Sequence, residues 1–154
     1  MLKKIFIGLG VLVLGFIGVG FIANVSASME DKARWTAEKA VTMQLKDPDS
    51  VKFRDIFVVA KPTDIKDIFS VAVCGVVDGK NSFGAFTGGQ RFVAKMVTDK
   101  SGNGSVKDLQ IEDDKRATVD SLRTKNKTTV FEKIYWNDYC VDATHGPTYT
   151  GKSY

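Results

Sequence analysis

The chain has 154 residues, with 22 Lys and Arg against 18 Asp and Glu, one histidine and two cysteines. That length allows one domain with a core of its own and excludes two once the leading segment is set aside. The formal charge of +4 is spread over interspersed cations and anions, which argues for solubility and against nucleic-acid specificity.

Lys3 and Lys4 precede an uncharged, mostly apolar run from Ile5 to Asn24, followed by Val25-Ser26-Ala27. About 20 residues at ~1.5 Å rise match the ~30 Å hydrocarbon core of a bilayer. The lysines favour a cytoplasmic N-terminus, so the chain after Ser28 is expected outside the inner membrane, facing the periplasm. Two readings of residues 1–27 stay open. The run is longer than the ~7–15 apolar residues of a signal peptide, which favours an uncleaved anchor. Val25-Ser26-Ala27 would serve as the cleavage end if it is a signal peptide, releasing a periplasmic or secreted domain. None of Gly8, Gly10, Gly15, Gly18 and Gly20 forms G-x-x-x-G, so no dimerising face is indicated.

Ser28, with Asp31 three residues on, is placed to cap an amphipathic helix. Ala33, Ala37, Ala40, Val41 and Leu45 repeat at helical spacing, and Trp35 and Met43 fall on other faces. The helix should stop near Lys46, because Asp47 precedes Pro48 and is pushed out of the α region. The period then changes. Val51 to Ala60 reads as a strand with Val51, Phe53, Phe57 and Val59 on one face, interrupted at Asp55. Lys61 to Asp64 is a turn, Ile68 to Val77 a second strand, and Asp78-Gly79 a hairpin signal. Phe83 to Phe86 and Gln90 to Thr98 form the return arm, and Val106 to Ile111 a short fourth strand after a Gly-rich turn. Past Asp113 the sequence is polar and helix-tolerant to Lys127. Its basic stretch Arg123 to Lys127 reads as a solvated face rather than a lipid-headgroup contact. Thr128 or Thr129 could then cap a short helix ending near Cys140, and residues 144–154 read as a frayed tail.

The expected fold is therefore α+β: a membrane helix, one amphipathic helix, an antiparallel meander of about four strands and a short C-terminal helix. The expected division is 1–27 anchor or signal, 28–143 extracytoplasmic domain, and 144–154 flexible tail.

Cys74 and Cys140 both follow the apolar run, and thiols outside the cytoplasm normally oxidise in pairs. A bridge between them would close a loop of about 65 residues, worth on the order of 4 kcal/mol. A metal site is not expected, since His145 is the lone histidine and C-x-x-C is missing. No cofactor is expected either.

The densest unusual cluster is the stretch from Asp78 to Arg91, with four glycines, two phenylalanines and several polar side chains. It lacks G-x-x-x-x-G-K-[ST], so it is no phosphate cradle. One reading is a long hairpin whose phenylalanines pack on the sheet. The other is a protein-contact loop presenting Lys80, Asn81, Ser82, Phe83, Phe86 and Arg91. Trp136 to Tyr139 could stack a sugar, but core packing beside a disulfide is the plainer reading. His145 has no evident carboxylate partner, and the pairs Asp64 with Asp67 and Glu112 with Asp114 are commonplace on turns, so no catalytic residue is assigned.

Leu45-Lys46-Asp47-Pro48-Asp49-Ser50-Val51-Lys52-Phe53, together with Val73-Cys74-Gly75-Val76-Val77 and Lys80-Asn81-Ser82-Phe83-Gly84, resembles a pattern in small exported bacterial and prophage proteins. The resemblance spans residues 45–92 and implies an extracytoplasmic domain. The layout of one membrane segment and one periplasmic domain is also similar to that of phage superinfection exclusion proteins, which block entry of phage DNA. These readings converge on a non-catalytic, membrane-anchored domain that binds an envelope or phage protein. The alternatives are a cleaved inhibitor module and a cell-wall-active hydrolase.

Overall fold

The computed structural model of the chain describes residues 27–113 and 128–149. The apolar run 5–24, the helix-tolerant stretch 114–127 with its basic residues, and residues 150–154 lie outside them. Among the described residues no helix is long and apolar enough to cross a membrane.

Helix α1 (Met29–Thr42) leads, followed by a short 3-10 turn (Pro48–Ser50) and four strands: β1 (Lys52–Pro62), β2 (Ile68–Asp78), β3 (Gln90–Asp99) and β4 (Gly104–Ile111). All pair antiparallel in the order β1-β2-β3-β4, so the expected meander and the α+β class are observed. A π-helical turn (Glu132–Trp136) runs into a single helical turn (Asn137–Tyr139) near the C-terminus.

Ser28 caps α1 through a complete capping box, its side chain accepting from the Asp31 amide at 3.1 Å while Asp31 accepts from the Ser28 amide at 3.2 Å. Ala33, Ala37 and Val41, spaced by four, are fully buried. Their small side chains let the helix approach closely the sheet face formed by Val71, Val73, Val77, Phe92, Ala94 and Met96. Trp35 and Met43 point away and are exposed. The helix ends at Thr42, with the chain to Lys46 in turns rather than further helix.

The second face of the sheet carries Ala72, Cys74 and Val93, covered by Trp136, Cys140 and the rings of Phe57, Phe131, Tyr135 and Tyr139. Glu132, Trp136 and Cys140 are spaced by four and all point inward. Cys74 and Cys140 form a disulfide with Cα atoms 6.0 Å apart. Covered on both faces, β2 is buried continuously from Val71 to Gly75.

The expected single face for Val51, Phe53, Phe57 and Val59 is corrected by a bulge. Register slips between Arg54 and Phe57, with Asp55 at φ 51°, so the side chains change faces there. Val51 and Phe53 therefore join the core under α1, and Phe57 joins the disulfide cluster. Gly75 accommodates the bulge, since a Cβ there would lie 3.2 Å from the Arg54 carbonyl oxygen and the Ile56 Cα.

The two ends of the sheet differ in what meets there. The β3–β4 turn touches the start of α1, where Gly102 lies against Met29 and Lys32, and the Lys100 amide donates to the Asp67 carbonyl of the β1–β2 turn. The β2–β3 connection meets the other end of α1, with Gly79 beside Leu45 and the Lys46 ammonium 3.4 Å from the Ser82 hydroxyl. The chain thus enters the domain at one end, and the Gly/Phe loop projects from the other.

Candidate functional site

Asp78-Gly79 does not make the two-residue hairpin turn it suggested, because the loop runs from Gly79 to Gly89 and is braced from within. The Asp78 carboxylate accepts from the Thr87 amide at 3.0 Å and the Thr87 hydroxyl at 3.1 Å, closing the base. The Asn81 amide donates to the Ala85 carbonyl at 2.8 Å. The Asn81 side-chain oxygen accepts from the amides of Phe83 at 2.9 Å and Ala85 at 3.2 Å, and the Gly84 amide donates back to the Asn81 carbonyl at 3.0 Å. Asn81 thereby does within the loop what a backbone turn would do. Gly84, at φ 79°, supplies the left-handed step at the apex. Lys80 and Phe86 face each other in an isolated bridge, and the Lys80 amide donates to the Ser50 hydroxyl at 2.9 Å.

Phe83 stands at the apex with 95% of its surface in water, the opposite of packing on the sheet. Leaving such a ring in water forgoes roughly 1.5–3 kcal/mol of burial. Phe86 is 42% exposed and is flanked by two cations, the Lys52 ammonium 4.6 Å and the Lys80 ammonium 5.7 Å from its ring centroid. The Arg54 guanidinium occupies the space that a Cβ on Gly89 would fill. Lys80, Asn81, Ser82, Phe83 and Phe86 are therefore brought together on one exposed loop.

Arg91 is not with them. Strand alternation turns it to the second sheet face, under the C-terminal segment, where its side chain is 15% exposed. Its guanidinium grips Glu112 bidentately at 2.6 and 2.7 Å, and also donates to Glu132 at 3.2 Å and the Thr148 hydroxyl at 2.8 Å. The rings of Trp136 and Phe131 lie 5.1 and 5.5 Å from its Cζ. Burial opposes the charge, but the hydrogen bonds and attraction of Glu112, then of Glu132, outweigh it and raise the pKa above the ordinary arginine value. Glu132, wholly buried, forms a reciprocal cap with Thr129, accepting from its amide at 3.0 Å while the Thr129 hydroxyl accepts from the Glu132 amide at 3.1 Å. Arg91 is thus a fastening between sheet and C-terminal segment.

The expected loose tail is tied down as far as Thr148. Asn137 and Thr148 exchange two hydrogen bonds at 2.9 and 3.0 Å. The His145 ring stacks on Phe57 at 3.7 Å between centroids, and its Nδ1 lies 2.9 Å from Asp142. That hydrogen bond, with those from Thr144 and the His145 amide, holds the Asp142 carboxyl well below the usual carboxylate range. This Asp–His pair escaped sequence reasoning, because the stacking partner Phe57 is far away in the chain. The D-x-x-H spacing was the one local signal. Trp136 is core, beside the disulfide.

Among the described residues no group of three or more His, Cys, Asp or Glu could hold a metal ion. Glu112 is committed to Arg91, and Asp67 and Lys100 are 3.9 Å apart on the surface. A shallow groove of about 380 Å³ between α1 and β4 is lined by Ala40, Met43, Gln44 and Val106 to Leu109. Its one carboxylate, Asp108, is engaged by Gln110 at 2.9 Å and by Lys95 at 2.9 Å. No family model, curated protein or solved structure matches the chain.

Proposed function

We propose that the protein is a non-catalytic, membrane-anchored extracytoplasmic domain that binds another protein through the loop between β2 and β3. The observation that carries this reading is Phe83, a ring left in water on a loop braced from within by Asn81, Asp78 and Thr87. A loop that only had to connect two strands has no need of an aromatic apex or an internal brace. The site of chain entry supports the anchored form. An apolar span before Ala27 would attach at the far end of the sheet, leaving the loop pointing away from the bilayer. Blocking phage genome entry at the inner membrane is the most concrete version, suggested by layout. A cleaved periplasmic inhibitor would use the same loop without the anchor.

The test is photo-crosslinking in intact cells, with a benzophenone amino acid replacing Phe83 or, as control, the exposed Trp35 on α1. A defined protein adduct from position 83 and none from position 35 is expected. Equal, diffuse labelling from both would sink the loop reading. For the exclusion version, cells carrying the chain should adsorb phage normally yet lose plaques on some phages, and Phe83→Ser should restore them.

A further inference from the structure

We infer that the loop's partner is a protein surface offering an apolar socket edged with carboxylates, which takes the Phe83 ring while its acidic edge meets a collar of lysines. This rests on the binding reading above and adds the partner's chemistry.

Three observations carry it. First, the two aromatic rings have different work. Phe86 is occupied on its faces by Lys52 and Lys80, so it holds two ammonium groups in place beside the apex. Phe83 has no ring partner among the described residues and is free to insert. Second, the loop from Gly79 to Gly89 carries no carboxylate, and cations gather at it. Lys46 reaches Ser82, Lys52 and Lys80 flank Phe86, and Arg54 lies against Gly89. Asp78 at the loop's base is turned inward to Thr87, and the other carboxylates of this part of the chain, Asp47, Asp49 and Asp55, belong to the connection after α1 and to β1. Third, with Phe86 only 42% exposed beneath the lysines, the apolar footprint at the apex is one ring. Its neighbours Asn81, Ser82, Gly84 and Ala85 are polar or small, and all are exposed. One inserted ring within a cationic collar suits a socket of about one side chain, as at a protein hot spot. A bilayer would reward a broader apolar loop.

The experiment pans the full chain in detergent against a random twelve-residue peptide library. It then measures the best peptide's affinity across a salt series. The expected winners carry an aliphatic or aromatic residue between Asp or Glu residues. Phe83→Ser should weaken their binding by about 10- to 100-fold, the range for losing one buried ring. The triple change Lys46→Glu, Lys52→Glu, Lys80→Glu should weaken it further than the same positions changed to Gln, and affinity should fall as salt rises. Selection of neutral or basic peptides, of none, or of acidic peptides indifferent to the lysines would overturn the inference.

A second arm mixes proteoliposomes bearing the full chain with phosphatidylglycerol vesicles. Clustering that Phe83→Ser abolishes would assign the loop to lipid and overturn the protein socket. An in-cell adduct from position 83 combined with neutral peptides would remove the acidic edge and leave the binding reading standing. Without adduct or peptide, both fall.

Discussion

Two side chains stand in environments opposite to their chemistry, and each has a measurable consequence. Phe83 is an apolar ring in water, so Phe83→Ser should leave stability within about 0.5 kcal/mol, as surface changes do. Thr98 is the reverse: 1% exposed on the α1 face of β3, with a hydroxyl that finds no hydrogen-bond partner among the described residues. Burying an unpaired hydroxyl is unfavourable, and replacing it with a methyl keeps the volume. Thr98→Val is therefore expected to stabilise the domain by about 1 kcal/mol, seen as a rise of several degrees in thermal midpoint. A lowered midpoint would mean that the hydroxyl is satisfied after all. Gly89 sets a limit of another kind. At φ 89°, with Arg54 in the space of its missing Cβ and Val76 at 3.0 Å, it has no tolerated replacement that keeps the loop's exit.

Among the elements, the C-terminal segment is fastened most heavily, by the disulfide, by Arg91 and by the Asn137–Thr148 pair. Arg91→Ala would leave the carboxylates of Glu112 and Glu132 buried without their guanidinium. The expected loss is about 3–5 kcal/mol by denaturant titration, against almost none for Phe83→Ser. Two surface turns respond to acid. Asp142 is held low by the His145 ring and then by Thr144, and Asp99 by Asn103 and then Ser101. A carboxylate whose folded pKa is depressed contributes stability above its ordinary value near 4 and loses it as pH falls further. Stability should therefore decline below about pH 4, and Asp142→Asn should flatten that decline in a urea titration series. The elements themselves were legible in the sequence where a local rule governs them: the Ser28 cap, the alanine stripe of α1, and the apolar runs of β2 and β3 between their turns. The face change in β1 was not, because a bulge depends on Gly75 across the ladder as well as on Asp55. Likewise, the loop's composition pointed to Phe83 and Lys80, whereas Arg91 lies within the same stretch but belongs to the core. The side to which a strand residue turns is set by register, and register is not visible in one strand.

At the scale of the molecule, the meander and α1 give the domain two distinct ends. The helix starts at the end shared by the β1–β2 and β3–β4 turns, and the Gly/Phe loop occupies the other. Ten or eleven residues of strand at ~3.3 Å rise separate these ends by about 33 Å. If residues 5–24 span the bilayer, Gly102 and its turn lie beside the headgroups and Phe83 stands about that much further out. The prediction can be read by energy transfer from a donor placed at position 101 or 83 to acceptor-labelled lipid, using the full chain in vesicles. Transfer should be strong from 101 and weak from 83. Equal transfer from both would mean that the domain lies with its strands along the membrane. The loop would then face lipid, and its lysines would serve the anionic headgroups in place of a protein's carboxylates.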